Sequence, residues 1–478
     1  MKPSRWGVLS EGEVREIHNA SLEILTGTGI VIQNESVLSA LAERGASVDL
    51  QKDLAKIPAE LVEDALRSAP KATEVVLCNR DGKVDVRFGA GKLHGASGND
   101  AVYYYDSEKD EQRPASKSDV ANFARIADAL PNIHMISPEA VPQDVPQRST
   151  MVHAVEAIYN NSSKHILVAV PNGAEARGVI EISKEIIGGN DLGKTRILSF
   201  MVSPTSPLRW EGPAIEALIE GARNGLMLDI LSEPISGVTA PITLAGYLVV
   251  QNAEFLVGLL ISQLINKGNP VMYGCSPTTM DMREARAVVA TPEAMLLRLA
   301  SGQLAKHYGL PSRTNAEADS QCMDEQNCWE RILQSLAAVC TEMDVVITQG
   351  MYGTGMIVSY DQLIIDNEIL GILNRIKRGI DVNEEKLATQ IISKVGPGGH
   401  FLKEPFTQKN LKIEHLTELI SNRSSYRKWK DQGGFSITKV ARREAEKILA
   451  EHKPQELDRD IQSRIRQMVK EFDDTLPS

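Results

Sequence analysis

TRILSFMVSPTSPLRWEGPAIEALIEGARNGLMLDILSEP, Thr195 to Pro234, is the stretch that decides the fold. Two short apolar runs, TRILSFMVS (Thr195–Ser203) and MLDILSEP (Met227–Pro234), flank a helical stretch, the unit from which parallel sheets are built. The same alternation holds from Ser116 onward. IHMISP (Ile133–Pro138) and HILVAV (His165–Val170) come before it, and PVMYGC (Pro270–Cys275), LPSRTN (Leu310–Asn315) and DVVITQ (Asp344–Gln349) come after. Strand and helix in regular turn over this length predict a TIM (β/α)8 barrel. Seven strands are one short of closure. The eighth is expected near Met356–Val358 or from an irregular segment, with an open doubly wound sheet as the alternative.

Outside the alternating region the texture differs. Ser10 and Glu13 form a capping-box pattern for an opening helix that Gly27 and Gly29 stop, and Pro58 starts a second helix. Four strand-like runs follow, TEVVLC, VDVRF, LHGAS and AVYYYD, so residues 1–114 are expected to form a small α+β extension in front of a barrel spanning 115–435. In the barrel's last helix, Ser359 caps and Gly379 closes. Residues 436–478 read as C-terminal helices. There Ile461, Ile465, Met468, Val469 and Phe472 recur at helical spacing, a stripe that packs on the barrel or on a second subunit, and a homo-oligomer is expected.

Composition narrows the partners. Of 478 residues 42% are apolar and 24% charged, as in ordinary globular chains. A net charge of -11 with scattered basic residues disfavours nucleic acid and anionic lipid surfaces. The five cysteines are odd in number and lack tight pairing, and the N-terminus has no long apolar core, so a cytoplasmic location is expected. Leu244–Ile265 is the most apolar stretch, but Gln251, Asn252 and Glu254 interrupt it, which makes it a buried barrel helix rather than a membrane span.

Barrel enzymes work at the carboxyl ends of their strands. Glu233 at such an end suits a cationic ligand. Tyr273 and Tyr352 offer π faces for an ammonium cage, and Trp210 offers a pocket wall. The alternative roles are helix capping for Glu233 and packing for the three rings. Cys275, Cys322 and Cys328 invite a zinc reading, yet no histidine lies in the Cys322–Cys328 segment and no bound metal is expected. GPGGH at Gly396–His400 reads as a glycine-rich turn.

The chain resembles the trimethylamine methyltransferase family, in its branch without pyrrolysine. The likeness is carried by GTGI (Gly27–Ile30), EPISGVTAPITLAG (Glu233–Gly246), SYDQLIIDNEI (Ser359–Ile369) and VGPGGHFL (Val395–Leu402), in the family's order. It implies a barrel that presents a methylated amine to the cobalt of a separate corrinoid (cobalamin) protein, with no cofactor held tightly by this chain. The family's pyrrolysine falls in the loop matching Ala318–Trp329, where only standard residues stand here. That departure implies a quaternary amine, such as glycine betaine, proline betaine or carnitine, as the methyl donor. A betaine carboxylate would find donors in Arg313, Asn315 and the amides near Gly350 and Gly353. Two other readings stay open: a zinc-dependent corrinoid methyltransferase acting on a thiol or alcohol, and a non-catalytic quaternary-amine-binding protein.

Overall fold

In the computed structural model, which describes residues 6–475, eight parallel strands close a barrel in chain order. They are β1 (His94–Ser97), β2 (Ile133–Ile136), β3 (His165–Ala169), β4 (Leu198–Val202), β5 (Met227–Ser232), β6 (Val271–Cys275), β7 (Ser312–Asn315) and β8 (Val345–Gln349). Each is followed by a helix of the outer layer: α1 (Lys117–Ala129), α2 (Thr150–Asn161), α3 (Gly173–Ile186), α4 (Gly212–Arg223), α5 (Leu244–Ile265), α6 (Pro292–Tyr308), α7 (Glu325–Cys340) and α8 (Tyr360–Arg378). Ser359 and Gly379 bound α8 as their cap chemistry predicts.

The barrel's first strand corrects the expected boundary. β1 is the LHGAS run, inside the segment assigned to an N-terminal extension, and it pairs with β8 on one side and β2 on the other. The barrel therefore begins before residue 115. Ile357–Val358, where the eighth strand was sought, instead pairs with Met351–Tyr352 and Tyr103–Asp106 in a separate four-stranded sheet. The hairpin Val76–Cys78/Val84–Arg87 covers the other end of the barrel, where Cys78 N donates to Arg196 O just ahead of β4. Its Leu77 and Val86, with Val75 and Phe88, join the interior cluster of Ala96, Met135, Leu167, Met201, Met227, Met272 and Val345. That end is closed by apolar packing, so the carboxyl ends of the strands are left as the open mouth.

Helix α5 is the buried helix the sequence predicts. Its Glu254 accepts from Ser206 Oγ at 2.8 Å and from Leu208 N at 2.7 Å, and Asn252 Nδ2 donates to Tyr308 Oη at 2.9 Å. The polar residues thus bind neighbouring elements instead of facing lipid. Two further helices, α9 (Ile437–Glu451) and α10 (Arg459–Thr475), wrap the outside, α9 against α8 and α1, α10 against α2 and α3. Phe472 of α10 lies over Gly178, where even a Cβ would come within 2.9 Å of its ring.

Candidate functional site at the barrel mouth

Side chains alternate along a strand, so the interior residues fix which positions reach the mouth. In β5, Met227 and Leu231 face the barrel interior, and Asp229 and then Glu233 fall on the same phase. β7 carries Arg313, Asn315 and Glu317 in that phase. Met135 leads through Ser137 to Glu139, and Ala96 through Gly98 to Asp100. Four of the eight strands are therefore followed within three residues by a carboxylate.

Below the mouth these groups form one network. Arg313, fully buried, donates from Nε to Asp229 Oδ2 at 2.7 Å, binds Asn315 Oδ1 through Nη1, and places Nη2 2.8 Å from Met201 Sδ. Asn315 Nδ2 lies 3.0 Å from Ser276 Oγ and 2.9 Å from Glu317 Oε1. Ser276 in turn stands near enough to Glu233 to hold its carboxyl down.

The charges feel one another across the barrel. Burial first, then the Glu233 charge, pushes the Asp100 carboxyl up to about 7. Glu233 keeps solvent exposure, yet the protein around it and the charges of Glu317 and Asp229 push it to about 7 against the pull of Ser276 and Arg313. Burial raises Glu139 to about 8 and lifts Glu317 as well. Asp100 Oδ1 and Asp229 Oδ1 lack a hydrogen-bond partner among the described residues, as does the buried donor Arg298 Nη2, while Ser97 pulls against the burial of Glu139. A cation at these groups would favour their ionised form.

The structure brings Glu233, Arg313 and Asn315 together and separates the other expected residues from them. Tyr273 lies one residue out of phase: its buried ring packs on Phe255, 4.2 Å between centroids, in the helix layer. Trp210 is buried too, donating Nε1 to Glu254 O at 3.2 Å, and pairs in a small sheet with Ile32. Tyr352 belongs to the four-stranded sheet, packed with Ala318, Ile357 and Tyr105, so the two tyrosines form no cage. The Gly350 amide donates to Asp366 Oδ2 at 2.6 Å and the Gly353 amide to Ser320 O at 3.0 Å, so neither is left for a ligand carboxylate.

Cys275 is buried with Sγ toward Arg313 O, while Cys322 and Cys328 are exposed. Among the described residues no group of three or more His, Cys, Asp or Glu side chains is placed to hold a metal ion. The loop after Glu317 is tied down by Asp319, which accepts from Val289 N, Ala290 N and Thr354 Oγ1, and it ends at Asp324, the cap of α7. Asp100, Glu139, Glu317 and Ser276 were not selected from the sequence. Continuing each strand's alternation past its end finds all four.

A sequence model of the trimethylamine methyltransferase (MTTB) family matches residues 2–477. The chain is 34% identical over 467 residues to the trimethylamine methyltransferase of Desulfitobacterium hafniense strain DSM 10664 / DCB-2, covering 97% of this chain and 94% of the relative. It is 32% identical over 469 residues to the glycine betaine methyltransferase of Desulfitobacterium hafniense strain Y51, covering 97% of each. The crystal structure of the Methanosarcina barkeri monomethylamine methyltransferase superposes with a TM-score of 0.50 at 14% identity, covering 98% of this chain and 96% of that one, a likeness of fold alone. With the closed barrel and a family match over nearly its whole length, this chain belongs to the trimethylamine methyltransferase family and is a methyltransferase.

Proposed function

We propose that the mouth binds a quaternary amine, of the glycine betaine, proline betaine or carnitine type by its trimethyl- or dimethylammonium head, and passes one methyl group to the Co(I) corrinoid of a separate carrier protein. The observation that carries this reading is that carboxylates follow four of the barrel strands and that the charges of Asp100, Glu233 and Glu317 act on one another at the strand ends, a set suited to a cation. The C–N bond breaks with its electron pair going to nitrogen, and a neutral tertiary amine leaves. The pair that bonds the methyl carbon comes from the corrinoid, the second substrate. A quaternary nitrogen needs no proton to leave, so the protein's task is to orient the ammonium and exclude water.

The test is methyl transfer from a panel of amines to Co(I) cobalamin, followed by the loss of the Co(I) absorbance. Quaternary amines are expected to react and trimethylamine to be inert, because residues 318–329 hold only standard side chains. Efficient trimethylamine turnover, with no transfer from any quaternary amine, would refute the assignment.

A further inference from the structure

The geometry points to Arg298 as the residue that receives the carboxylate of a betaine, so that the substrate binds as a zwitterion with its methylammonium head turned toward the opening of the barrel. This inference rests on the function proposed above and adds to it the residue that orients the donor.

Three arginines, Arg298, Arg313 and Arg331, stand out among the described residues as large, fully buried side chains. Two of them are paired with a buried aspartate: Arg313 with Asp229 at 2.7 Å, and Arg331 with Asp366. Arg298, from α6, is bonded differently. Its Nε donates to Asn315 O at 3.2 Å and its Nη1 to Val289 O at 2.9 Å, both neutral carbonyls, and Nη2 is buried with no partner. A guanidinium keeps its charge inside a protein, so this burial leaves both a donor and a charge uncompensated. An incoming carboxylate satisfies both.

The acids whose charges reach Arg298 are engaged elsewhere. They are Glu317 and Asp319. Glu317 Oε1 accepts from Asn315 Nδ2 at 2.9 Å, while Asp319 accepts from Val289 N at 3.0 Å, Ala290 N at 2.9 Å and Thr354 Oγ1 at 3.0 Å. Arg313 is no substitute, because Asp229 and Asn315 already hold it.

Asn315 ties the free donor to the ammonium side. Its carbonyl accepts from Arg298, and its side-chain nitrogen reaches Glu317 and, at 3.0 Å, Ser276 Oγ, which stands near Glu233. Exposure falls along the same path: Glu233 is exposed, Ser276 and Asn315 are buried, and Arg298 lies deepest. A zwitterion laid along it has its anionic end inward and its cationic end at Glu233 and Glu317. That order suits the chemistry. The Co(I) corrinoid brings the electron pair for the methyl carbon from outside while the C–N bond breaks with its pair on nitrogen, so the anchor belongs at the inner end.

Calorimetry on the purified full-length chain compares glycine betaine with its methyl ester and with choline, which keep the trimethylammonium head and lack the carboxylate. Glycine betaine is expected to bind roughly tenfold or more tighter than either, the scale of a hydrogen bond between charged groups, with the same advantage in kcat/KM for methyl transfer to Co(I) cobalamin. Arg298→Gln, checked for folding by circular dichroism, should weaken glycine betaine far more than choline and so close the gap. Arg298→Lys, which keeps the charge without the planar fork, should restore part of it. The comparison of ligands on the unaltered chain decides the matter even where a variant does not fold. Choline or the ester bound as tightly as glycine betaine overturns the inference, as does a folded Arg298→Gln protein that keeps the full preference, and either result leaves the quaternary-amine function standing. If no quaternary amine binds or donates a methyl group, the functional assignment itself fails and the inference falls with it.

Discussion

Between Met272 and Gly274, which share the interior phase of β6, Tyr273 turns outward, and its hydroxyl lies 3.3 Å from Asn252 Oδ1 in the helix layer. Tyr273→Phe removes that contact and keeps the ring, so it should lower stability by about 0.5–1.5 kcal/mol with KM unchanged. Denaturant unfolding and steady-state kinetics read the two effects separately, and a raised KM without loss of stability would put the ring back in the mouth. Gly274 is more demanding. A Cβ there would come within 2.5 Å of Asp229 Oδ1 and 2.9 Å of Ile230 O, so Gly274→Ala must strain the Asp229–Arg313 pair that floors the site. The expected loss is about 1–3 kcal/mol, with activity falling further than stability alone predicts, measured by unfolding and by methyl transfer at a temperature where the variant is folded. From the sequence, Glu233 was recognisable because an acid stood at the end of a long apolar run. Glu317 and Asp100 are hidden because one residue separates the first, and two the second, from the end of its strand.

Most of the legible strands are rich in Val, Ile, Leu and Met and read as buried on both faces, whereas β7, Ser312–Asn315, is legible only from its place in the alternation. β1 has none of these residues. After His94 its residues, Gly95 to Ser97, are small, and at Gly95 the surroundings are crowded: a Cβ there would lie 2.4 Å from a Leu370 methyl and 2.5 Å from Asn132 O. Tertiary packing selects small residues there, so the sequence shows LHGAS only as a short strand-like run of the N-terminal α+β extension and not as a barrel strand. At the other terminus the helical stripe of α10 was legible but its seat was not, since Gly178 advertises no contact until Phe472 fills the hollow beside Val152. Phe472→Ala should release that end of α10, costing about 1–3 kcal/mol in view of its partial exposure. Faster hydrogen exchange confined to α10, with the barrel protected, is the expected signature. Unchanged exchange there would show that the ion pairs His153–Asp473, 3.0 Å, and Arg464–Glu185 hold the helix without the ring.

Across the whole molecule the mouth sets a pH dependence with opposite signs for folding and for binding. Asp100 and Glu233 titrate near 7 and Glu139 near 8 in the folded, empty protein, all raised chiefly by burial, against roughly 4 in an unfolded chain. Between those limits the folded state holds more protons than the unfolded one. The contribution of these groups to stability is therefore fully present below about pH 4 and is lost as pH rises through 7 to 8. A cationic substrate needs the same carboxyls ionised. Its affinity should climb from pH 6 to pH 8, and below pH 8 its binding should expel protons into the buffer. Calorimetry in two buffers of different ionisation enthalpy measures that proton release directly, and thermal unfolding with and without substrate should show stabilisation that grows over the same range. Glu139→Gln removes the group that titrates highest and should reduce the release toward the alkaline end. An affinity flat from pH 6 to pH 8, with no proton release in either buffer, would mean that the carboxylates at the mouth are not what receives the ammonium.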